Sequence, residues 1–71
     1  MRFEEIVNAH YKNLNANDQY ILRIVSADRK ACVKLSINEL AQRCNVSRTT
    51  ILRFTQKLGF EGYSAFKAFL A

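Results

Sequence analysis

The sequence predicts an all-α fold, a compact bundle of five short helices around a helix-turn-helix motif. Apolar residues recur at helical spacing through most of the chain. The chain has no proline and only two glycines, and residues typical of helix ends stand between the apolar stretches. No repeat or low-complexity tract marks an internal boundary, so residues 1–71 are expected to form a single domain.

The first two helices are predicted from an apolar stripe and a cap. A stripe of apolar residues at helical spacing predicts the first helix over residues 3–12. The residues of the stripe are Phe3, Ile6, Val7, Tyr11 and Leu14. The second helix begins after Asn15, a good capping residue, has Asp18 in its first turn, and runs to Ala27. Residues 28–35 show no clear period, and both a connection and a short strand stay open there.

The remaining three helices are delimited by capping and turn residues. The run 36–39, Ser-Ile-Asn-Glu, is a capping box that starts the third helix, and Asn45 tolerates the left-handed turn that ends it. Ser47 caps the fourth helix and Gly59 ends it. Gly62 permits a second turn, after which apolar residues at helical spacing predict a fifth helix: Tyr63, Phe66 and Leu70.

The composition excludes several classes of protein. With one histidine and no glycine-rich loop or paired carboxylates, the chain is not expected to be an enzyme. His10, Cys32 and Cys44 are too few to form a structural zinc site, so no metal or other cofactor is expected. The sequence has neither a signal peptide nor a long apolar run, and both cysteines are expected to be reduced in a cytoplasmic protein.

The charge balance favours a polyanionic partner. Eleven Lys and Arg against six Asp and Glu give a formal net charge of +5. Nucleic acid and an anionic membrane surface both suit such a charge. The segment 40–60 contains four basic residues and no acid, although its apolar residues follow the spacing of packed helices. The basic charge is therefore concentrated where a helix is held firmly against the domain.

The third and fourth helices fit a helix-turn-helix motif. About three residues separate them, and the small Ala41 lets them approach closely. The apolar contacts expected to fix their angle come from Leu40, Cys44, Val46, Ile51 and Phe54. An ordinary helical hairpin within a bundle is the structural alternative.

The fourth helix has one apolar face and one polar, basic face. At about 100° per residue, Ile51, Phe54 and Leu58 share the inner side. Side chains on the other side and its flank are candidates for contacts with base edges in the major groove of double-stranded DNA: Arg48, Thr49, Leu52, Arg53 and Gln56. The candidates for phosphate contacts are Lys34, Arg43, Ser47, Thr50 and Lys57. Ser47 also suits capping, and Arg53 also suits an ion pair with Glu39.

The run from Leu35 to Leu70 resembles the N-terminal DNA-binding domain of the RpiR family of bacterial transcription regulators. The elements that carry the resemblance are Glu39-Leu40-Ala41, Val46-Ser47, Thr50-Ile51, Arg53-Phe54, Lys57-Leu58-Gly59-Phe60, Gly62-Tyr63 and Phe66-Lys67. Together with a weaker match over residues 14–25, the resemblance covers nearly the whole chain. Asn45 stands where the family usually has Gly, and Asn is the next best residue for a left-handed turn.

The resemblance implies a regulator of sugar or sugar-phosphate metabolism that binds inverted-repeat operators as a homodimer. Family members usually continue into a sugar-isomerase (SIS) domain that binds phosphorylated sugars. We therefore expect this chain to be a DNA-binding domain without its SIS domain, and the effector site to lie outside these residues. The small core and the stripe of the first helix also favour a dimer.

Another reading is a protein-interaction or dimerisation module that uses the helix-turn-helix as a scaffold. Two other classes are less well supported by the sequence. Membrane-surface binding would need a wide apolar face beside a basic stripe. RNA binding would favour aromatic residues interleaved with basic ones, whereas the aromatic residues here fit packing positions.

Overall fold

The computed structural model describes residues 2–71, and in these residues the fold is all-α, as the sequence predicts. A single 3-10 turn over Tyr11–Asn13 follows the first helix, and no described residue lies in a strand. The α helices, in chain order, are α1 (Phe3–His10), α2 (Ala16–Ala27), α3 (Arg29–Val33), α4 (Ile37–Cys44), α5 (Arg48–Lys57) and α6 (Tyr63–Leu70).

Two segments differ from the sequence prediction. The first helix ends at His10 and not at residue 12, because the backbone of His10 leaves the helical region, with φ −115° and ψ 8°. The segment 28–35 contains the short helix α3, so it is neither a plain connection nor a strand, and residues 2–71 form six α helices where the sequence predicts five. Asp28 starts α3 by accepting a hydrogen bond from the Ala31 N–H at 3.2 Å. Only Cys32 of α3 is buried, which explains why no apolar period was visible.

The predicted caps of α2 and α4 are both present. Asn15 and Asp18 form a reciprocal box, in which each side chain accepts a hydrogen bond from the other residue's N–H, at 2.9 and 3.0 Å. Ser36 and Glu39 form the same arrangement at the start of α4, with distances of 3.1 and 2.8 Å. Local sequence therefore determines where these two helices begin.

All six helices contribute to one core. Its residues with no solvent exposure include Ile21 and Val25 from α2, Leu40 from α4, and Ile51 and Phe54 from α5. The other buried apolar residues are Phe3, Val7, Leu14, Cys32, Ala41, Cys44, Leu58, Phe66 and Leu70. Because α4 and α5 both bury side chains in this core, their relative position is fixed by the whole domain.

Aromatic packing joins α1, α5 and α6. The ring of Phe66 makes edge-to-face contacts with Phe3, Phe54 and Phe60, with centroid distances of 6.2, 5.7 and 5.6 Å. Phe3 is thereby buried within this one chain, and Val7 and Leu14 of the same stripe are buried as well. Most of the α1 stripe that favoured dimerisation is consequently covered by the domain's own core.

Candidate nucleic-acid interface

A tight turn connects α4 to α5. Asn45 adopts the left-handed conformation, with φ 56° and ψ 44°. The Val46 N–H bonds the carbonyl of Ala41 at 3.0 Å, and the Asn45 N–H bonds that of Gln42 at 3.1 Å. These two bonds form a Schellman motif, which ends α4 and turns the chain sharply toward α5. Helix, turn and helix thus follow one another as predicted.

α4 packs closely against α5, and the inward-facing residues of both helices are buried. Ala41 is 5% exposed, and Leu40 and Cys44 are 0% and 1% exposed. On α5, Ile51, Phe54 and the polar Thr55 are all fully buried. The Thr55 hydroxyl donates a hydrogen bond to the carbonyl of Leu52 at 2.7 Å, so its burial leaves no unpaired polar atom.

The opposite face of α5 is open to solvent. Arg48, Thr49, Arg53 and Gln56 are exposed, and α5 contains no acidic residue. Gln56 makes one long hydrogen bond, from its side-chain N–H to the carbonyl of Glu61 at 3.5 Å. Four of the five candidate base-contacting side chains therefore stand on one exposed face of a helix that the core holds in place.

Leu52 is half-buried. A methyl group added to Gly62 would lie 3.9 Å from Leu52 Cδ1, which places this side chain beside the start of α6. Leu52 thus lies at the edge between the exposed face of α5 and the core. Part of its side chain is still available to a partner.

Arg53 does not form the ion pair with Glu39 that the sequence left open. Within residues 2–71, ion pairs join Arg29 to Glu4 and Lys57 to Asp18. Glu39 instead accepts the Ser36 N–H, and hydrogen bonds with the backbone and side chain of Ser36 lower the pKa of its carboxyl. The Arg53 guanidinium extends from an exposed position without a carboxylate partner in the described part of the chain.

The start of α5 is capped by Ser47. Its Oγ accepts a hydrogen bond from the Thr50 N–H at 3.1 Å, and lies 2.9 Å from the Thr50 hydroxyl. Ser47 is exposed and Thr50 is half-buried. Both candidate phosphate contacts are therefore held in a fixed geometry by the cap, next to N–H groups at the positive end of the helix.

Lys57 has a partner inside the domain that sequence reasoning missed. Its Nζ lies 2.6 Å from Oδ2 of Asp18, whose side chain is only 2% exposed. The two residues are 39 positions apart, so no local pattern linked them. The one sign of this pair in the sequence is the acid Asp18 in the first turn of α2, and the capping of that helix already accounts for an acid there. Lys34 and Arg43, the other basic phosphate candidates, are exposed and unpaired among residues 2–71.

The two cysteines are buried free thiols. Burial raises the pKa of both Cys32 and Cys44, and the positive charge of Arg43 only partly opposes this effect. Thiols of this kind are protonated at neutral pH and are poor nucleophiles. Within residues 2–71, no three or more His, Cys, Asp or Glu side chains are grouped so that they could hold a metal ion. No helix in the same residues is long and apolar enough to span a membrane.

Two short helices joined by a sharp turn, with the outer face of the second helix open to solvent, form the arrangement of helix-turn-helix DNA-binding domains. The sequence matches the helix-turn-helix domain of the rpiR family over residues 1–71. The chain therefore belongs to the rpiR family of helix-turn-helix domains and is a DNA-binding domain of the transcription-regulator type.

Three relatives support this assignment. The chain is 50% identical over 70 residues to the HTH-type transcriptional regulator GlvR of Bacillus subtilis (strain 168), covering 99% of this chain and 28% of that protein. It is 38% identical over 50 residues to an uncharacterized HTH-type transcriptional regulator of Providencia stuartii, which covers 70% of this chain and 18% of that protein. It is 32% identical over 68 residues to an uncharacterized HTH-type transcriptional regulator of Clostridium perfringens (strain 13 / Type A), which covers 96% of this chain and 24% of that protein.

The chain thus spans less than a third of the length of each of these relatives. No solved structure matches it.

Proposed function

We propose that this domain binds double-stranded DNA sequence-specifically by inserting α5 into the major groove. The observation that carries the proposal is the division of α5 into two faces. Ile51 and Phe54 on the inner face are fully buried, whereas Arg48, Arg53 and Gln56 on the outer face are exposed. A helix that enters the groove needs this combination of a fixed inner face and an outer face rich in donors.

Each exposed side chain suits a particular base contact. The guanidinium of Arg48 or Arg53 can donate two hydrogen bonds to O6 and N7 of guanine. The Gln56 amide can pair with N6 and N7 of adenine, and Thr49 can bond either kind of base. The accessible part of Leu52 suits the methyl group of thymine.

Contacts with the phosphate backbone of DNA are assigned to residues at the start of α5, in α4 and after α3. Ser47 and Thr50 lie at the N-terminal end of α5, where unpaired N–H groups attract an anion. Arg43 is in the last turn of α4 and Lys34 follows α3, and both carry exposed charges. Such contacts hold a protein on DNA without reading its sequence.

The biological setting follows from the family resemblance. We propose a homodimer on an inverted-repeat operator and a role in regulating sugar or sugar-phosphate metabolism, with the effector bound outside residues 1–71. The dimer is supported by the small size of the core, which favours assembly. Sedimentation on the operator tests it: two chains per duplex are expected, and one chain per duplex would contradict it.

Fluorescence anisotropy tests the main proposal. The chain is titrated into a mixed-sequence DNA duplex, a matched single strand and an RNA hairpin, each at about 50 and about 200 mM salt. Preferred duplex binding that weakens at least about tenfold between these salts is expected, because the two cations assigned to phosphates, Lys34 and Arg43, give a slope of about −1.8. Equal or no binding to all three nucleic acids would overturn it and favour a protein-interaction scaffold.

A further inference from the structure

We propose that Lys57 is a positioning residue and not a phosphate contact: its ion pair with Asp18 sets the direction in which the outer face of α5 points. The inference rests on the proposed function, because it concerns how α5 is aimed at DNA. It also removes one cation from the set of phosphate contacts that the sequence suggested.

The geometry of the pair joins two helix ends. Lys57 is the last residue of α5, and Asp18 is the third residue of α2. Oδ2 of Asp18 accepts hydrogen bonds both from Lys57 Nζ, at 2.6 Å, and from the Asn15 N–H, at 3.0 Å. One carboxylate oxygen therefore caps α2 and holds the C-terminal end of α5.

Burial explains why Lys57 stays with this partner when DNA is present. The Asp18 side chain is 2% exposed and the Lys57 side chain is 32% exposed. If the ammonium moved to a phosphate, a buried carboxylate would be left without a counter-charge, which is strongly unfavourable. A phosphate contact at the surface is screened by salt, whereas a partly buried pair is screened much less. The pair is thus favoured over the phosphate.

The position of the pair gives it control over the axis of α5. The N-terminal end of α5 is fixed through the turn that contains Asn45, and the C-terminal end is held by the ion pair with Asp18 together with the buried Leu58. The candidate base-contacting residues lie between these two ends, over residues 48–56. Loss of the pair is therefore expected to shift the C-terminal part of the outer face relative to the rest of the domain, while the buried residues of α5 keep the helix on the core.

The double variant Asp18→Asn/Lys57→Gln tests the inference because it removes both charges and leaves the net charge of the chain unchanged. The amide introduced by Asp18→Asn keeps an oxygen for the Asn15 N–H, so the cap of α2 is retained. Asp18→Asn alone serves as a second variant, since the freed lysine can reach solvent. Ser36→Ala, which removes a cap of α4, controls for a loss of stability alone.

Two quantities are measured for each variant at a temperature where circular dichroism shows it folded. The first is the ratio of affinities for a duplex selected from a random pool by the original chain and for a mixed-sequence duplex. The second is the slope of log affinity against log salt on the mixed duplex. The ratio is expected to fall about tenfold in both Asp18 variants, the size of one lost base contact, and to stay unchanged in Ser36→Ala.

The salt slope of the double variant is expected to equal that of the original chain. A slope smaller in magnitude by about 0.9 would show that Lys57 contacts a phosphate and would overturn the inference. An unchanged affinity ratio would also overturn it, because the pair would then only stabilise the fold. If the original chain itself does not bind duplex DNA, the proposed function fails and this inference falls with it, an outcome distinct from the other two.

Discussion

The imidazole ring of His10 packs over Gly59. A methyl group built on Gly59 would lie 3.5 Å from both Cε1 and Nε2 of the ring, and the glycine has φ +95°. The Nδ1–H of His10 donates to the carbonyl of Ile6 at 2.9 Å, which holds the ring in this position. His10 therefore joins the C-terminal end of α1 to the turn that ends α5, and its role there is packing.

Gly59→Ala should destabilise the domain by about 1–2 kcal/mol, mainly because a side chain is strained at positive φ. The contact at 3.5 Å is an ordinary van der Waals distance and adds little. Gly62→Ala is the matched control, since Gly62 has extended φ of −174° and its nearest neighbour, Leu52 Cδ1, would be 3.9 Å away. Thermal unfolding of both variants decides the matter, and equal losses would contradict this account of Gly59.

The sequence predicted the helix boundaries well where they depend on neighbouring residues. Asn15, Ser36 and Ser47 each accept a hydrogen bond from an N–H three residues later, as their positions suggested. Asn45 takes the left-handed conformation that its side chain tolerates. Capping and turn chemistry act within about four residues, so a linear pattern is enough to find them.

The features that sequence reasoning missed depend on distant contacts. Asp18 was assigned to the cap of α2, and only the folded chain brings Lys57 beside it. The helical angle of Leu52 predicts a place on the outer face, but in the folded chain Leu52 lies beside Gly62 at the start of α6 and is half-buried. The short helix α3 escaped detection because Cys32 is its one buried residue. Which helices contact each other depends on how they pack in three dimensions, and the spacing of apolar residues along the sequence does not describe this.

The pH dependence of stability should include a contribution from Glu39. Hydrogen bonds with Ser36 lower the pKa of this carboxyl, so the folded state favours its ionised form. The stabilisation is therefore present above the ordinary pKa of Glu and is lost as the pH falls through the lowered pKa of the folded state. Glu39→Gln keeps an acceptor for the Ser36 N–H but does not titrate.

Melting temperatures of the original chain and of Glu39→Gln should thus differ at neutral pH and converge in acid. The measurement is thermal unfolding followed by circular dichroism over a series of pH values. A constant difference at every pH would mean that the carboxylate charge of Glu39 does not stabilise α4.

The roles of Ser47 in capping and in DNA binding are separable by comparison with Ser36. Both serine oxygens accept an N–H three residues later at 3.1 Å, and both residues are exposed. Ser47→Ala and Ser36→Ala should each cost about 1 kcal/mol in the free energy of unfolding. If Ser47 also contacts a phosphate, then only Ser47→Ala should weaken duplex binding when both variants are fully folded. Equal affinities of the two variants would leave Ser47 with the capping role alone.

Arg53 provides the most direct test of the outer face of α5. Its side chain is exposed and has no ion pair within residues 2–71, so Arg53→Ala should change the melting temperature very little. If the guanidinium contacts a guanine, the variant should lose about 1–3 kcal/mol of binding to a selected duplex and discriminate less at one base position.

Arg23→Ala, which removes an exposed arginine from α2, is the control for the loss of one positive charge. It should weaken binding to selected and mixed duplexes by the same small factor, because a charge that makes no base contact acts through the overall field of the protein. Arg53→Ala should instead weaken binding to the selected duplex much more than to the mixed one. If the two variants behave alike, Arg53 contributes only charge, and the base contacts must come from the other candidates: Arg48, Thr49, Leu52 and Gln56.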